Sequence, residues 1–283
     1  MEIFKNKNSL GKYLETLRAK NCSIGFVPTM GALHEGHASL IKQGLMTNDF
    51  VVVSIFVNPT QFNNTNDLEK YPRTLASDVA LLNDISSETI VVYAPSVEDI
   101  YGSDVVSTAF DYDGLEYEME GKFRTGHFDG VGTIVKRLFE IVKPDHAYFG
   151  EKDFQQLMII KKLVEKYDIP VKIVGCDIFR ANDGLAMSSR NMRLKPEYRA
   201  AAPFIYQTLK TAKKKFGTKS AKEVSDWVVD QFAQHDLLEL EYFVIANSDT
   251  LKTVKRKSNK STYRAFIAVY ADDIRLIDNI ALN

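Results

Sequence analysis

A chain of 283 residues, 45% hydrophobic and 26% charged, carries enough apolar material for one large core or two moderate ones, which excludes a disordered or fibrous protein. Its 36 Lys plus Arg balance 37 Asp plus Glu, so no global field draws it to nucleic acid or an anionic membrane, and any anion must be held by local geometry. Two cysteines, Cys22 and Cys176, are too few for a disulfide framework or a four-thiolate zinc site. With no basic-then-apolar leader and no apolar run near the ~20 residues of a bilayer span, the expectation is a cytoplasmic protein with no membrane partner.

In chain order, runs rich in β-branched and aromatic residues occupy positions 24–27, 50–57, 89–93, 147–149 and 171–178, continuously apolar like strands covered on both faces. Helical spacing appears between them at 39–46, at 74–85 with Leu75, Val79 and Leu82 on one face, at 132–142 and at 154–167. The alternation predicts an α/β fold around a parallel sheet. Beyond 178 the rhythm changes: 196–216 and 220–235 read as two helices, and 238–246, 262–271 and 274–282 as three strands, with "ADD" as a tight turn before the last. A boundary near Phe179 therefore separates residues 1–178 from an α+β domain, 179–283, built on a small antiparallel sheet. The basic segments "TAKKKFGTKS" and "KTVKRKSNKS" read as a solvated helix end and a hairpin loop, so no nucleic-acid surface is expected.

The first of these strands runs into "PTMGALHEGH" and then a helix. Pro28 and Gly31 allow a sharp exit from the strand, and Gly36 lets a ligand approach the backbone. A strand, a tight loop and a helix start form a phosphate-facing corner at the carboxyl edge of a parallel sheet, because the first helical N–H groups lack partners. His34 and His37, three apart, can both donate to phosphate oxygens as negative charge develops there. The spacing is not that of helical H-E-x-x-H, and no third ligand stands nearby, so no metal site is read.

Other polar groups follow later strands. Asn58 and Gln61 in "SIFVNPTQFN" offer donor and acceptor together, as a ligand with hydroxyl and carboxylate groups requires. "YPR" at 71–73 reads as a turn into the helix at Thr74, and Asp78 as a solvated helix residue. The glycines of "EGKFRTGHFDGVGTIV" suggest a mobile flap with a helix start at about His127, itself either a capping or a buried histidine. In "YFGEKDFQQL", Gly150 permits close approach, Lys152 supplies a point charge, Asp153 can accept from ribose hydroxyls, and Gln156 lies one turn along. Ser188, Ser189 and Arg190 put two hydroxyls and a guanidinium on a loop able to wrap a triphosphate.

"HEGH" resembles the H-I-G-H signature of class I aminoacyl-tRNA synthetases and related nucleotidyltransferases, and "PTMGALHEGH", "VNPTQF", "YPR", "RTGHFDGV", "FGEKDFQQ" and "SSR" together resemble the pantothenate synthetases (pantoate–β-alanine ligases) over about 26–194. The resemblance implies a Rossmann-like doubly wound sheet, ATP and Mg2+ carried on its phosphates, and joining of pantoate to β-alanine through an acyl adenylate. It implies nucleotide contacts at Met30, Gly31, His34, His37, Gly150, Glu151, Lys152, Asp153, Phe179, Met187, Ser188, Ser189 and Arg190. Gln61 and Gln156 fall on pantoate with Asn58 in support, Arg124 joins the substrate-binding residues as an arginine able to clamp phosphate, His37, His34 and Lys152 carry the catalysis, and no protein ligand to a metal is assigned. It also implies a homodimer, to which the apolar run "FVVVSIFV" would contribute, and a C-terminal domain acting as a lid. A nucleotidyltransferase that keeps the nucleotide on its product, and an ATP-sensing module without catalysis, stand as alternatives. A tRNA synthetase is disfavoured because no anticodon-binding region or basic excess is present.

Overall fold

The computed structural model describes residues 1–63 and 65–283 and divides them into two compact units, residues 1–151 with 155–177, and residues 152–154 with 178–283. The first unit opens with β1 (Glu2–Phe4) and α1 (Lys7–Arg18), then β2 (Ile24–Thr29), α2 (Glu35–Leu45) and β3 (Phe50–Ile55). It continues through α3 (Thr65–Glu69), α4 (Leu75–Ile85), β4 (Ile90–Tyr93), α5 (Val97–Tyr101), α6 (Glu120–Phe123) and α7 (His127–Val142) to β5 (His146–Gly150), α8 (Phe154–Lys166) and β6 (Lys172–Cys176). Every strand pair is parallel, and the order is β1-β4-β3-β2-β5-β6. The sequence reading missed β1, whose three extended residues carry no usable period, and α1, although its Leu10, Leu14 and Leu17 recur at helical spacing.

Successive strands after β2 run one way across the sheet through β3 to β4, whereas β5 and β6 lie on its other side. The loops after β2 and β5 therefore leave from neighbouring strands where the order reverses, the position at which open parallel sheets gather ligands. Pro28 is tolerated in central β2 because pairing with β5 covers Gly25 and Phe26 and has ended before the residue that lacks an N–H. Val51, Val52 and Val53 are fully buried within β3, with sheet neighbours on both sides, so these three residues of the run are core and cannot themselves face a partner.

α4 differs from its sequence reading in a way that shapes the site. Leu75 is exposed while Asp78 is 2% exposed, so the expected solvated position is wrong, and the expected apolar stripe holds at buried Leu82 and half-buried Val79 but not at Leu75. The carboxylate turns inward because it has donors there: Ala32 N–H at 3.1 Å to Oδ2, Leu33 N–H at 2.8 Å to Oδ1, and Thr74 Oγ1 at 3.1 Å to Oδ1. A buried carboxylate so bonded keeps its charge compensated. The flap expectation also changes. A Cβ on Gly121 would collide with the Glu116 carbonyl, on Gly130 with the Thr60 carbonyl and on Gly132 with the Tyr112 hydroxyl, so these glycines serve close packing. Gly126 alone of the four has a left-handed φ, +75°, as it enters α7.

In the second unit, residues 179–187 form a small hairpin, with Met187 N–H bonded to the Phe179 carbonyl, Ala181 N–H to the Leu185 carbonyl, and Gly184 at φ +95° in the turn. α9 (Pro196–Ala201), α10 (Phe204–Phe216) and α11 (Ala221–Ala233) follow, then β7 (Glu239–Asn247), β8 (Tyr263–Ala271) and β9 (Ile274–Ala281) in the antiparallel order β7-β8-β9. The single helix expected over 196–216 is two, because Pro203 has no N–H to continue the ladder and stands at the N-cap of α10. The core packs Ile205, Leu209, Val224, Val228 and Phe232 of the helices against Ala265, Ile267 and Val269 of β8. Asp272, at φ +58°, makes the two-residue turn between β8 and β9.

Two outcomes are expected. Asp78→Ala, which strands two backbone donors, should lower unfolding free energy by about 3 kcal/mol in denaturant melts, with an unchanged m-value. Glu223, paired with Ser220 in the capping box of α11, is drawn down to about 2, first by the Ser220 backbone N–H and then by its hydroxyl. A depressed carboxyl stabilises the fold above its unfolded value and loses that effect as pH falls through the folded value. An NMR titration should therefore place Glu223 near about 2, with its stabilisation intact above about 4.5 and fading between the two; Ser220→Ala should return the midpoint toward 4.5.

Candidate active site

The loop between β2 and α2 carries Met30 to His34. Gly31 stands at φ +83°, and a Cβ there would press on Asp78 Oδ2 and Ile55 Cγ2, each at 3.1 Å. Ala32 is also left-handed, at φ +49°, a conformation an alanine adopts here because Asp78 receives its N–H. This turn delivers His34 to the N-cap of α2 and places His37 at N3. The two histidines themselves form the capping box: His34 Nδ1 accepts from Gly36 N–H at 3.1 Å, and His37 Nδ1 accepts from His34 N–H at 3.3 Å. A lone pair at each Nδ1 leaves Nε2 to carry the proton, so both rings are set as Nε2 donors. The rings stack with centroids 4.0 Å apart.

A second group gathers after β3. Asn58 is 1% exposed, and its amide is fully engaged: Nδ2 donates to Gln61 Oε1 and the Gly130 carbonyl, both at 3.2 Å, while Oδ1 accepts from Tyr101 OH at 2.6 Å and Thr60 Oγ1 at 3.2 Å. Burial pushes the Tyr101 phenol up, so it remains a donor. Gln61 is half-buried, held at Oε1 by Asn58 and reaching Met30 Sδ with Nε2 at 3.0 Å. Its carbonyl accepts from His127 Nδ1 at 2.8 Å and Arg124 Nη2 at 3.4 Å. His127 is thus buried and bonded. Arg124 also pairs with Glu120 at 3.6 Å. The loop after β2, the Pro59–Gln61 turn and the start of α7 are therefore stitched into one surface of the first unit.

At the end of β5, Gly150 would place a Cβ in open space, so no protein atom demands glycine there. Glu151 follows, half-buried. Of the adjacent glutamines, Gln155 is buried and spent on the Leu115 and Glu118 carbonyls and on Glu120 N–H, at 2.8, 2.7 and 3.0 Å. It braces the segment leading to Arg124. Gln156 is half-buried on α8.

In the second unit, Lys152 and Asp153 stand in one helical turn, with Nζ 3.8 Å from Oδ2. Phe179 is exposed at one end of the hairpin and Met187 half-buried at the other. Ser188 caps the following turn by accepting Arg190 N–H at 3.3 Å; Ser189 is buried and Arg190 half-buried. Asp78, Tyr101 and Gln155 were missed by sequence reasoning. Asp78 left one signal, an acid one turn before the buried Leu82 on the same helix; the others left none.

Comparison with known proteins agrees from end to end. The family model described as pantoate-beta-alanine ligase matches residues 2–281. The pantothenate synthetase of Flavobacterium psychrophilum is 59% identical over the whole of both chains, and that of Bacteroides fragilis 47% identical over 99% of this chain and 98% of its own. Among solved structures, pantothenate synthetase from Thermus thermophilus is 36% identical, with TM-score 0.91 over 100% of this chain and 99% of its own. The pantoate-beta-alanine ligase from Francisella tularensis, complexed with beta-gamma ATP and beta-alanine, is 37% identical, with TM-score 0.81 over 100% of this chain and 98% of its own. On matches of this length and identity, the chain belongs to the pantoate-beta-alanine ligase family.

Proposed function

We propose that this chain condenses pantoate with β-alanine at the expense of ATP, through a pantoyl adenylate, and that the residues named above are its working parts. Family membership over the full chain supports the reaction. The observation that carries the site is the histidine capping box, which fixes both imidazoles as Nε2 donors before any ligand arrives. A nucleotidyltransferase that leaves the nucleotide on its product finds no support in the family match.

Carboxylate and amine do not condense in neutral water, because hydroxide leaves poorly. In the proposed first step a pantoate carboxylate oxygen attacks the α-phosphorus of ATP, and the bond to the bridging oxygen breaks to release pyrophosphate. In the second, the neutral amine of β-alanine attacks the acyl carbon; AMP departs with the bonding pair, and the amine loses a proton to give the amide. No covalent bond to the protein forms. The first step brings two anions together and expels a third, so its catalysis is chiefly the screening and holding of charge.

His34, His37, Lys152, Ser188, Ser189 and Arg190 are proposed to bind the phosphates. Met30, Gly31, Gly150, Glu151, Asp153, Phe179 and Met187 are proposed to bind the nucleoside, with Asp153 accepting from ribose and Gly150 giving room for close approach. Gln61 and Gln156 are proposed to hold pantoate; Asn58 fixes the orientation of Gln61, and Arg124 places a cation beside it. We propose residues 1–178 as the domain that carries the pantoate amides and residues 179–283 as the second domain. Mg2+ is proposed to accompany ATP, bound through the phosphate oxygens and neutralising part of their charge. Cytoplasmic residence is proposed from the two free cysteines, and homodimerisation from the family resemblance. Among the described residues no helix is long and apolar enough to cross a membrane.

Given pantoate without β-alanine, the protein should exchange labelled pyrophosphate into ATP; active ligase without exchange would reject the adenylate route. His37→Ala or Lys152→Ala should lower kcat for that exchange by about 10²- to 10³-fold. Gln61→Ala, removing one neutral hydrogen bond to pantoate, should raise the pantoate KM about tenfold while leaving the ATP KM unmoved in steady-state kinetics.

A further inference from the structure

We propose that Asn279, on the last strand of the second unit, is a positioning residue for Lys152; this rests on the ligase reading above. The strand "IRLIDNIAL" reads as apolar core, yet at its centre two polar residues, Asp278 and Asn279, are buried to 4% and 2% exposure. Buried polar groups persist where their partners repay desolvation, and here the partners are the segments that carry the phosphate-binding side chains.

Asn279 Nδ2 donates to the Lys152 carbonyl at 2.9 Å, and its Oδ1 accepts from Arg264 Nη1. The Arg264 guanidinium stacks over the Phe154 ring at 4.0 Å, and Phe154 packs against Phe266 with centroids 5.9 Å apart. Residues 152–154 are therefore gripped at both ends, by the carbonyl of Lys152 and the ring of Phe154. Next door, Asp278 takes a two-pronged ion pair from Arg180, Nη1 to Oδ2 at 2.6 Å and Nη2 to Oδ1 at 2.9 Å. Arg180 also donates to the Gly184 carbonyl at 3.2 Å and lies 3.6 Å over the Tyr206 ring, which secures the hairpin ahead of Ser188. Two adjacent strand residues thus hold the backbone beneath Lys152 and the backbone leading to Ser188, Ser189 and Arg190.

The consequence lies in catalysis. A lysine is a point charge on a flexible stem, so its usefulness depends on where its backbone stands. Asn279 fixes that backbone through the carbonyl and takes no bond from the ammonium, whose ion pair is the long one to Asp153 at 3.8 Å.

Asn279→Asp tests this with little change of shape: the acceptor toward Arg264 remains and the donor toward Lys152 is lost. It should lower kcat for pantoate-dependent pyrophosphate exchange by about 10²-fold, as a displacement near 1 Å would, with the pantoate KM unchanged. In a Lys152→Ala background the same substitution should cost nothing further, because the residue acts through that lysine. Equal losses in both backgrounds, or no loss in either, would overturn the proposal; a purely structural role gives equal losses. The Lys152 carbonyl ¹³C resonance supplies a readout independent of turnover. It should move upfield in Asn279→Asp, or in Asn279→Ala should the aspartate variant not fold, and an unmoved resonance overturns the proposal. Absence of exchange by the wild-type chain would instead count against the ligase reading, while the resonance still reports on Asn279.

Discussion

The carboxylate of Asp78 is the constraint from which the histidine site follows. It lies buried on α4 and receives the N–H groups of Ala32 and Leu33, so the backbone between β2 and α2 is held in a left-handed turn that alanine would not adopt unaided. That turn sets the direction in which His34 enters the helix. Once His34 is the N-cap, the helix's own orphan N–H groups close onto the two imidazoles and decide their tautomers. Removing the carboxylate would release the turn first and the imidazoles with it.

The same economy recurs elsewhere. Asn58, its amide fully engaged, gives one of its bonds to Gln61, Gln155 spends its own on the segment before Arg124, and Asn279 holds the carbonyl of Lys152. In each case a buried side chain with satisfied hydrogen bonds orients a neighbour that remains partly accessible. Adenylation of a carboxylate needs charge held in place more than it needs proton transfer, and donors fixed in advance lose little on meeting the transition state. The buried polar residues of both units thus steady neighbours that stay partly accessible, which is what preorganisation of a site requires.

Much of the architecture was legible in the sequence. Five parallel strands and all three antiparallel ones were visible as β-branched runs, and the polar groups of the loops after β2, β3 and β5 could be read from their place at strand ends. What escaped was of two kinds. Short elements such as β1 carry too few residues for a period to show. Supporting residues such as Asp78, Gln155 and Asn279 act on backbone groups remote in sequence, and local spacing cannot reveal a partner 46, 40 or 127 residues away. The glycines of 121–132 misled for a related reason, since composition alone does not tell a hinge from a close contact.

By itself, then, the sequence determined where strands and helices alternate and which chemical groups stand at their ends, because periodicity and turn chemistry are local properties of the chain. Tertiary structure alone decided which of those groups have their hydrogen bonds already spent and which are only steadied. Satisfying a buried amide or carboxylate requires particular backbone atoms from distant segments to arrive within about 3 Å, and that distance is fixed only when the sheets and helices pack.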